Sequence, residues 1–320
     1  MKGLQLLLAL VAGLSASGAN FAQEPTQTPR FSSSLDLISL HVTVTDQSRQ
    51  CFERYPPYWN TGWDGCPVPN LTDEAFDVVE DGVGQQIAVF NRGDVPIAVS
   101  LLVDTRSGNN ARTAEVHEAA VGLVRKLRDI DLAEVRGFGM DGEVYQPFTS
   151  NHADLERAIR QVSSRTREST ESLLLRLLSP FETTAMRAPT IRRDAIIFLT
   201  DGDASRDPGL NRALAPARRT HVAIYTIALM GDQSLDETQE PVLSLRRLAA
   251  ITGGRAFFPE SGRRLSSLYT QIYEELSQQY TIGYVSRNSR RDGGWRSVTI
   301  HVRRPDTSAR TKQGYFAPDP

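Results

Sequence analysis

Apolar and polar residues alternate along the first folded part of the chain. The alternation runs through residues 35–46 (LDLISLHVTVTD), in which Leu37, Leu40, Val42 and Val44 are apolar positions. A period of two residues is typical of β-strands that bury one face. The sequence therefore predicts that the chain enters its fold as β-structure.

A turn signal follows within the same part of the chain. The dipeptide Asp81-Gly82 lies between two apolar segments, residues 76–79 and 87–90. Asp-Gly is favoured in two-residue hairpin turns because both positions of the turn need positive φ angles. We predict that the two segments pair as a hairpin, and that residues 35–93 form a small β-sandwich-like domain.

From residue 94 onward, apolar strands alternate with amphipathic helices. Residues 96–103 (PIAVSLLV) and 194–200 (DAIIFLT) are largely apolar runs, as expected of strands that are buried on both faces. This alternation predicts an α/β fold with an open, mostly parallel sheet and helices on both faces, over residues 94–279. Residues 133–140 and 143–148 are expected to form an antiparallel hairpin at the sheet edge. The predicted helices lie near 111–127, 152–162, 173–178, 208–219, 241–252 and 265–279.

The C-terminal residues 280–320 return to strand patterns, in YTIGYV, WRSVTIHVRR and GYF. Asn, Asp and Gly residues separate these segments, which is typical of turns. We expect the C-terminal strands to complete the N-terminal β-domain or to add strands beside it.

The N-terminus has the pattern of an export signal. Lys2 supplies a positive charge, residues 4–14 form a short apolar run, and small residues follow. This order predicts a signal peptide over residues 1–22, because the run is shorter than the ~20 residues of a membrane-spanning helix. An uncleaved membrane anchor is the alternative. Residues 23–34 are polar and contain Pro and Ser, and we expect them to form a flexible lead-in.

Cys51 and Cys66 are the only cysteines of the chain. Disulfides persist outside the cytoplasm, so an exported chain would join this pair in one bridge, with two free thiols as the alternative. The bridge would tie residues 51–66 into a surface loop. The aromatic residues of this loop either form a partner-binding surface or fold inward over the β-domain. They are Tyr55, Tyr58, Trp59 and Trp63.

Two of the predicted buried strands end in aspartate. Asp104 follows the run at 96–103, and Asp201 follows the run at 194–200. Open parallel sheets bind their ligands at the carboxyl ends of the strands. Carboxylates beside hydroxyl side chains are ligands that suit magnesium or manganese. The alternative for each aspartate is a cap on the following helix or turn.

Taken together, these motifs resemble the bacterial family of von Willebrand factor type A-related proteins. The resemblance rests on VTVTD and NLTDEAFDVVEDGVGQQIAVF at the front, SLLVDT and IIFLTDGD in the middle, and YTIGYV, WRSVTIHVRR and GYFAP at the end. It covers nearly the whole chain after the predicted signal peptide. It implies a Rossmann-like type A domain with a metal-ion-dependent adhesion site that binds a partner.

The resemblance assigns this site residue by residue. The family pattern is Asp-x-Ser-x-Ser after the first strand, a Thr in a later loop, and an Asp after the fourth strand. Asp104 and Asp201 match the two aspartates, and Thr170 is a plausible match for the threonine. Arg106 and Gly108 stand at the two serine positions, so the predicted site lacks two hydroxyl ligands.

Arg106 places a guanidinium where the family holds a cation. We hypothesise that Arg106 pairs with Asp104 and Asp201 and replaces the metal, because Arg–carboxylate pairs are strong and geometrically defined. A one-residue shift of the loop would instead let Ser107 act as a ligand to Mg²⁺ or Mn²⁺. Both alternatives stay open at this point.

The remaining features narrow the class of function. The formal net charge of −2 gives no general attraction to nucleic acid or to anionic membranes. The sequence has no nucleophile elbow, zinc-protease motif or phosphate-binding loop. We predict an exported, periplasmic or extracellular, non-enzymatic adhesion module that binds a protein or a surface polysaccharide. A structural or assembly subunit without a metal site is the alternative, and a hydrolase is a further one.

Overall fold

The computed structural model of the protein describes most of the chain that follows the predicted leader. The described residues are 37–54, 65–92, 95–104, 110–137, 144–162, 192–200, 213–229, 240–259 and 265–319. The strands are β1 (Leu37–Asp46), β2 (Cys66–Pro67), β3 (Phe76–Glu80), β4 (Val83–Gln85), β5 (Ile87–Arg92), β6 (Ile97–Asp104), β7 (Leu132–Gly137), β8 (Val144–Thr149), β9 (Arg193–Thr200), β10 (Ala223–Ala228), β11 (Ala256–Phe257), β12 (Tyr280–Val285), β13 (Trp295–Val302), β14 (Thr307–Arg310) and β15 (Gly314–Phe316). The helices are α1 (Arg49–Arg54), α2 (Asn110–Val124), α3 (His152–Gln161), α4 (Leu214–Ala217), α5 (Glu240–Thr252) and α6 (Leu265–Gln278). Within these segments, no helix is both long and apolar enough to cross a membrane.

The central sheet has six described strands in the order β11-β10-β9-β6-β7-β8. Strand β6 lies in the middle and pairs in parallel with β9 on one side and with β7 on the other. Strands β10 and β11 continue the parallel arrangement, whereas β8, at the opposite edge, is antiparallel to β7. This order and these directions confirm the predicted type A fold, with its antiparallel edge hairpin.

The strands of the central sheet are apolar on both sides because helices cover both faces. Val99, Leu101 and Val103 of β6 belong to one hydrophobic cluster, to which helices α2, α3 and α6 contribute. Ala98 and Leu102 of β6 belong to a second cluster, to which α4 and α5 contribute. A strand buried in this way needs apolar residues at consecutive positions, which is the pattern that predicted it.

The strands before residue 93 and after residue 279 form a two-sheet sandwich. One sheet has the order β14-β1-β12-β5, with β2 beside β1, and the other has the order β15-β13-β3-β4. Strand β1 pairs with β12, and β3 pairs with β13, so the N-terminal and C-terminal segments contribute to both sheets. The hydrophobic core between the sheets includes Leu40, Val42, Phe76, Val78, Ile282, Val298 and Ile300.

The predicted partner of β3 in the N-terminal hairpin is wrong. Asp81 and Gly82 form a two-residue turn with φ angles of 48° and 82°, but this turn joins β3 to the short strand β4. The segment predicted as the second strand is β5, which pairs with β12 in the other sheet. The turn signal correctly marks a turn. It does not reveal the partner, because β4 is three residues long and lacks an apolar run.

The sandwich and the central sheet belong to one compact unit, and a buried arginine lies where the chain passes between them. Only Gln279 separates helix α6 from strand β12. The guanidinium of Arg193, the first residue of β9, donates to the backbone carbonyls of Leu276, Ser277 and Gln279 at 3.0, 3.1 and 2.5 Å. These carbonyls lie at the C-terminal end of α6, where a helix leaves its last carbonyls without intrahelical partners.

Candidate functional site

Strands β6 and β9 bring the two candidate aspartate positions to one edge of the central sheet. The parallel register pairs Asp104 with Thr200, which directly precedes Asp201 in the sequence. The carbonyl of Thr200 accepts a hydrogen bond from the amide of Leu229 at 2.9 Å, which fixes the end of β10 at the same edge. The carboxyl ends of three parallel strands therefore meet here, in the arrangement that open α/β sheets use to bind ligands.

The residues predicted to act at this edge lie outside the described part of the chain. They are the Asp104 side chain and the residues Arg106, Ser107, Gly108, Thr170 and Asp201. Within the described part, no group of three or more His, Cys, Asp or Glu side chains is placed to hold a metal ion. The predicted ligand set therefore stays a prediction. The structure does describe the ends of strands β6 and β9, at or next to which the two aspartates stand in the sequence.

The chemistry of the predicted donor set fits a divalent cation poorly. Mg²⁺ demands a nearly octahedral shell of oxygen ligands and gives up its water reluctantly. The sequence offers two carboxylates, Asp104 and Asp201, and the hydroxyl of Thr170, to which a one-residue shift of the loop would add the hydroxyl of Ser107. The guanidinium of Arg106 would add a positive charge beside the cation.

The structure contains the disulfide between Cys51 and Cys66, with the two Cα atoms 5.8 Å apart. The loop prediction for residues 51–66 needs one correction, because Cys51 lies on helix α1. An i,i+4 ion pair of 2.8 Å between Arg49 and Glu53 supports this short helix. Cys66 begins strand β2, which pairs with β1 at Asp46. The aromatic residues of the predicted binding loop lie outside the described residues, and they are Tyr55, Tyr58, Trp59 and Trp63.

A buried ionic cluster joins the central sheet to the sandwich, and sequence reasoning misses it. Glu275 of α6 is 8% exposed, and its carboxylate lies 2.5 Å from Arg310 Nη2 and 3.3 Å from Arg255 Nη2. Tyr225 of β10 donates its hydroxyl to the same carboxylate at 2.6 Å, and Thr43 of β1 donates at 3.4 Å. The partners come from distant parts of the chain, so no local spacing in the sequence could have revealed the contact.

The electrostatics of this cluster indicate a structural role. Burial alone would raise the pKa of Glu275, but the charges of Arg310 and Arg255 hold that pKa below its usual value. Burial and the neighbouring Glu275 carboxylate raise the pKa of Tyr225 well above its usual range. Neither group gains or loses a proton near neutral pH, whereas a general acid or base needs a pKa near the working pH.

Comparisons with known proteins find similar solved structures but no similar sequence or family model. The chain matches no protein-family model, and a search of curated protein sequences finds no similar protein. Among solved structures, it is similar to a von Willebrand factor type A protein from Catenulispora acidiphila, at 12% identity over 76% of this chain and 74% of that chain, with a TM-score of 0.48. It is also similar to the von Willebrand factor domain of the type V pili tip protein Mfa5 from Porphyromonas gingivalis, at 12% identity over 57% of this chain and 97% of that chain, with a TM-score of 0.42.

A third similar structure carries a metal. Proximal thread matrix protein 1 from the mussel byssus, with a zinc-occupied MIDAS motif, is 16% identical over 62% of this chain and 49% of that chain, with a TM-score of 0.44. At these identities and scores, the likeness supports no conclusion about a ligand of this chain. The assignment of the type A fold rests on the strand order and strand directions of the central sheet.

Proposed function

We propose that the protein is an exported, non-enzymatic binding module that contacts a partner protein at the carboxyl edge of its central sheet. The observation that carries this proposal is the parallel register of β6 and β9, which pairs Asp104 with Thr200. Because Asp201 follows Thr200 in the sequence, we expect two acidic residues at this edge. Export is proposed on the leader-like residues 1–22 and is consistent with the Cys51–Cys66 disulfide.

We propose further that binding at this edge does not depend on a metal. Arg106 and Gly108 stand where two serine ligands would be needed. The Arg106 guanidinium would pair with Asp104 and Asp201, because bidentate Arg–carboxylate contacts provide both charge and fixed geometry. The edge would then present to the partner a loop in which one guanidinium bridges two carboxylates and offsets part of their charge.

Calorimetry on protein stripped with a chelator tests the metal-independent part of this proposal. The native chain is titrated with Mg²⁺ and Mn²⁺ beside the double variant Arg106→Ser/Gly108→Ser, which restores both serine positions. We expect no saturable binding by the native chain at millimolar ion and measurable binding by the double variant. Adding Asp201→Ala to the double variant should abolish that binding. Saturable binding by the native chain that Asp201→Ala abolishes would overturn metal independence.

Photo-crosslinking in the cell envelope tests the binding face. A crosslinking residue at position 203 should trap a partner protein, and Asp104→Asn should reduce the yield severalfold. Asp154→Asn is the matched control, because Asp154 is a partly exposed carboxylate on α3 that pairs with Arg157. An unchanged yield in Asp104→Asn would show that Asp104 does not contribute to binding. A partner that is trapped from position 59 but not from position 203 would move the binding face to the loop at residues 51–66. A stable homo-oligomer without any crosslinked partner would favour the structural-subunit alternative.

A further inference from the structure

A basic cluster lies at the amino edge of the central sheet, at the opposite end of the strands from Asp104. In the parallel register Ala223 pairs with Ala195, so the residues two positions earlier, His221 and Arg193, belong to the same edge. Here α6 passes into β12, whose Thr281 pairs with His41 of β1. Lys312 reaches the same place from the turn between β14 and β15.

Lys312 is a nearly buried cation that contacts no carboxylate in the part of the chain that the structure describes. The residue is 8% exposed. Its Nζ atom is 2.8 Å from His221 Nδ1 and 5.9 Å from the centre of the Tyr315 ring. Among the residues that the structure describes, it forms no salt bridge. Arg310, two residues earlier, forms an ion pair of 2.5 Å with Glu275. The Glu275 carboxylate therefore already has a cationic partner.

The neighbours of Lys312 add donors but no negative charge. His221 accepts from the ammonium at Nδ1, so its remaining proton lies on Nε2, and that ring nitrogen is a donor. The ammonium has three N–H donors, and His221 takes one of them. His221 is exposed, which opens the cluster to solvent. The charges of Arg193 and Lys312 also act on His41, and they add to burial in lowering its pKa to about 3.

We propose that Lys312 and His221, with His41 beside them, form a binding site for a small oxyanion such as inorganic phosphate. A buried cation without a counter-charge is costly, and a bound anion would remove that cost. The ammonium protons that do not bind His221 and the His221 Nε2–H are all donors, which matches an oxyanion and no cation. Burial lowers the pKa of Lys312 to about 8, so the ammonium form needed for binding predominates at neutral pH.

Titration of the full chain with phosphate in a chloride buffer of constant ionic strength tests this site. We expect saturable binding by calorimetry and a rise in the melting temperature. Lys312→Met should weaken the affinity by about tenfold or more, since it removes a charged hydrogen-bond donor. Lys126→Met is the matched control, because Lys126 is exposed on the surface after α2. Equal phosphate affinity of Lys312→Met and the native chain would overturn the proposal.

Competitive labelling with trace acetic anhydride provides a second measurement that needs no variant. The chain has only three lysines, Lys2, Lys126 and Lys312, so mass spectrometry can follow each amine. At pH 8, phosphate should protect Lys312 severalfold and leave Lys126 unchanged. Protection should fade as the pH rises further, because the ammonium loses its proton. Acetate in place of phosphate distinguishes a general carboxylate site from a phosphate site, and protection by neither anion would refute the proposal.

Discussion

The hydroxyl of Tyr225 lies 2.6 Å from the carboxylate of Glu275, and this contact joins the central sheet to helix α6 inside a buried ionic cluster. The same carboxylate binds Arg310 of β14 and Arg255 near β11. One acidic side chain therefore connects the sandwich to the type A sheet. Removal of that charge would leave two partly buried arginines without their common partner.

The first prediction concerns this carboxylate. Glu275→Gln should lower the free energy of unfolding by about 3–5 kcal/mol, because breaking a buried ion pair leaves uncompensated charge in the interior. Urea unfolding at pH 7 measures the change. Glu274→Gln is the control, since Glu274 is the exposed neighbour on the same helix, and it should change stability by less than about 0.5 kcal/mol. Equal losses in the two variants would show that the cluster does not stabilise the fold.

The second prediction concerns pH. Burial, followed by the charges of Arg193 and Lys312, lowers the pKa of His41 from its usual value of 6.5 to about 3. As the pH falls below 6.5, His41 becomes protonated in the unfolded chain but stays neutral in the folded chain. The folded state therefore loses stability as the pH falls toward 3. His41→Asn should remove about 2–3 kcal/mol of the loss between pH 7 and pH 4.

Denaturant unfolding at several pH values checks this expectation. His301→Asn is the control, because His301 has an exposed imidazole on β13. The control should keep the native pH profile. If His41→Asn also kept the pH dependence of the native unfolding free energy, the imidazole of His41 would not be responsible for the acid sensitivity.

The sequence predicted those parts of the fold that follow from local pattern. The apolar run at 96–103 identified β6, because a strand covered by helices on both faces needs apolar residues at every position. The turn at Asp81-Gly82 was predicted correctly, but its partner strand was not. The pairing of strands that are far apart in the sequence depends on tertiary packing. Strand β5 pairs with β12, which lies almost two hundred residues later in the chain.

The candidate site residues also divide into those that a local sequence pattern indicates and those that only tertiary packing brings together. The register of Asp104 with Thr200 follows from a strand pattern that the sequence displays. The contact between Lys312 and His221 joins residues 91 positions apart, and a histidine and a lysine without a motif gave no signal. Glu275 is an acidic residue on an amphipathic helix, where the sequence pattern alone favours an exposed position. Its burial depends on arginines supplied by other elements.

The third prediction concerns the disulfide. The bridge between Cys51 and Cys66 spans 15 residues of sequence. In the chain-entropy model, closing a loop of this length stabilises the folded state by about 3 kcal/mol. Cys51→Ser/Cys66→Ser should lower the unfolding free energy by about that amount. Adding reductant to the native protein should give the same loss, and the double variant should be insensitive to reductant. If reductant did not change the unfolding curve of the native protein, the disulfide would not stabilise the fold.

The fourth prediction concerns the aromatic contact between α4 and the sandwich. The guanidinium carbon of Arg219, just after α4, lies 4.3 Å from the centre of the Phe316 ring, and that ring packs edge-on against Trp295 at 5.0 Å. Arg219 is exposed, and an exposed cation–π contact contributes about 0.5–1 kcal/mol. A double-mutant cycle of Arg219→Met and Phe316→Leu should give a coupling energy in that range.

A second cycle tests whether this coupling is specific to the contact. Arg157→Met replaces an arginine on α3 that pairs with Asp154, and its cycle with Phe316→Leu should give a coupling near zero. Urea unfolding of the four proteins in each cycle supplies the free energies. If the two cycles gave equal couplings, the Arg219–Phe316 stacking would be incidental. If only the Arg219 cycle shows coupling, then α4 is anchored to the sandwich by this ring. Because α4 follows the segment that begins at Asp201, the anchor would also restrain the chain that leaves the proposed binding edge.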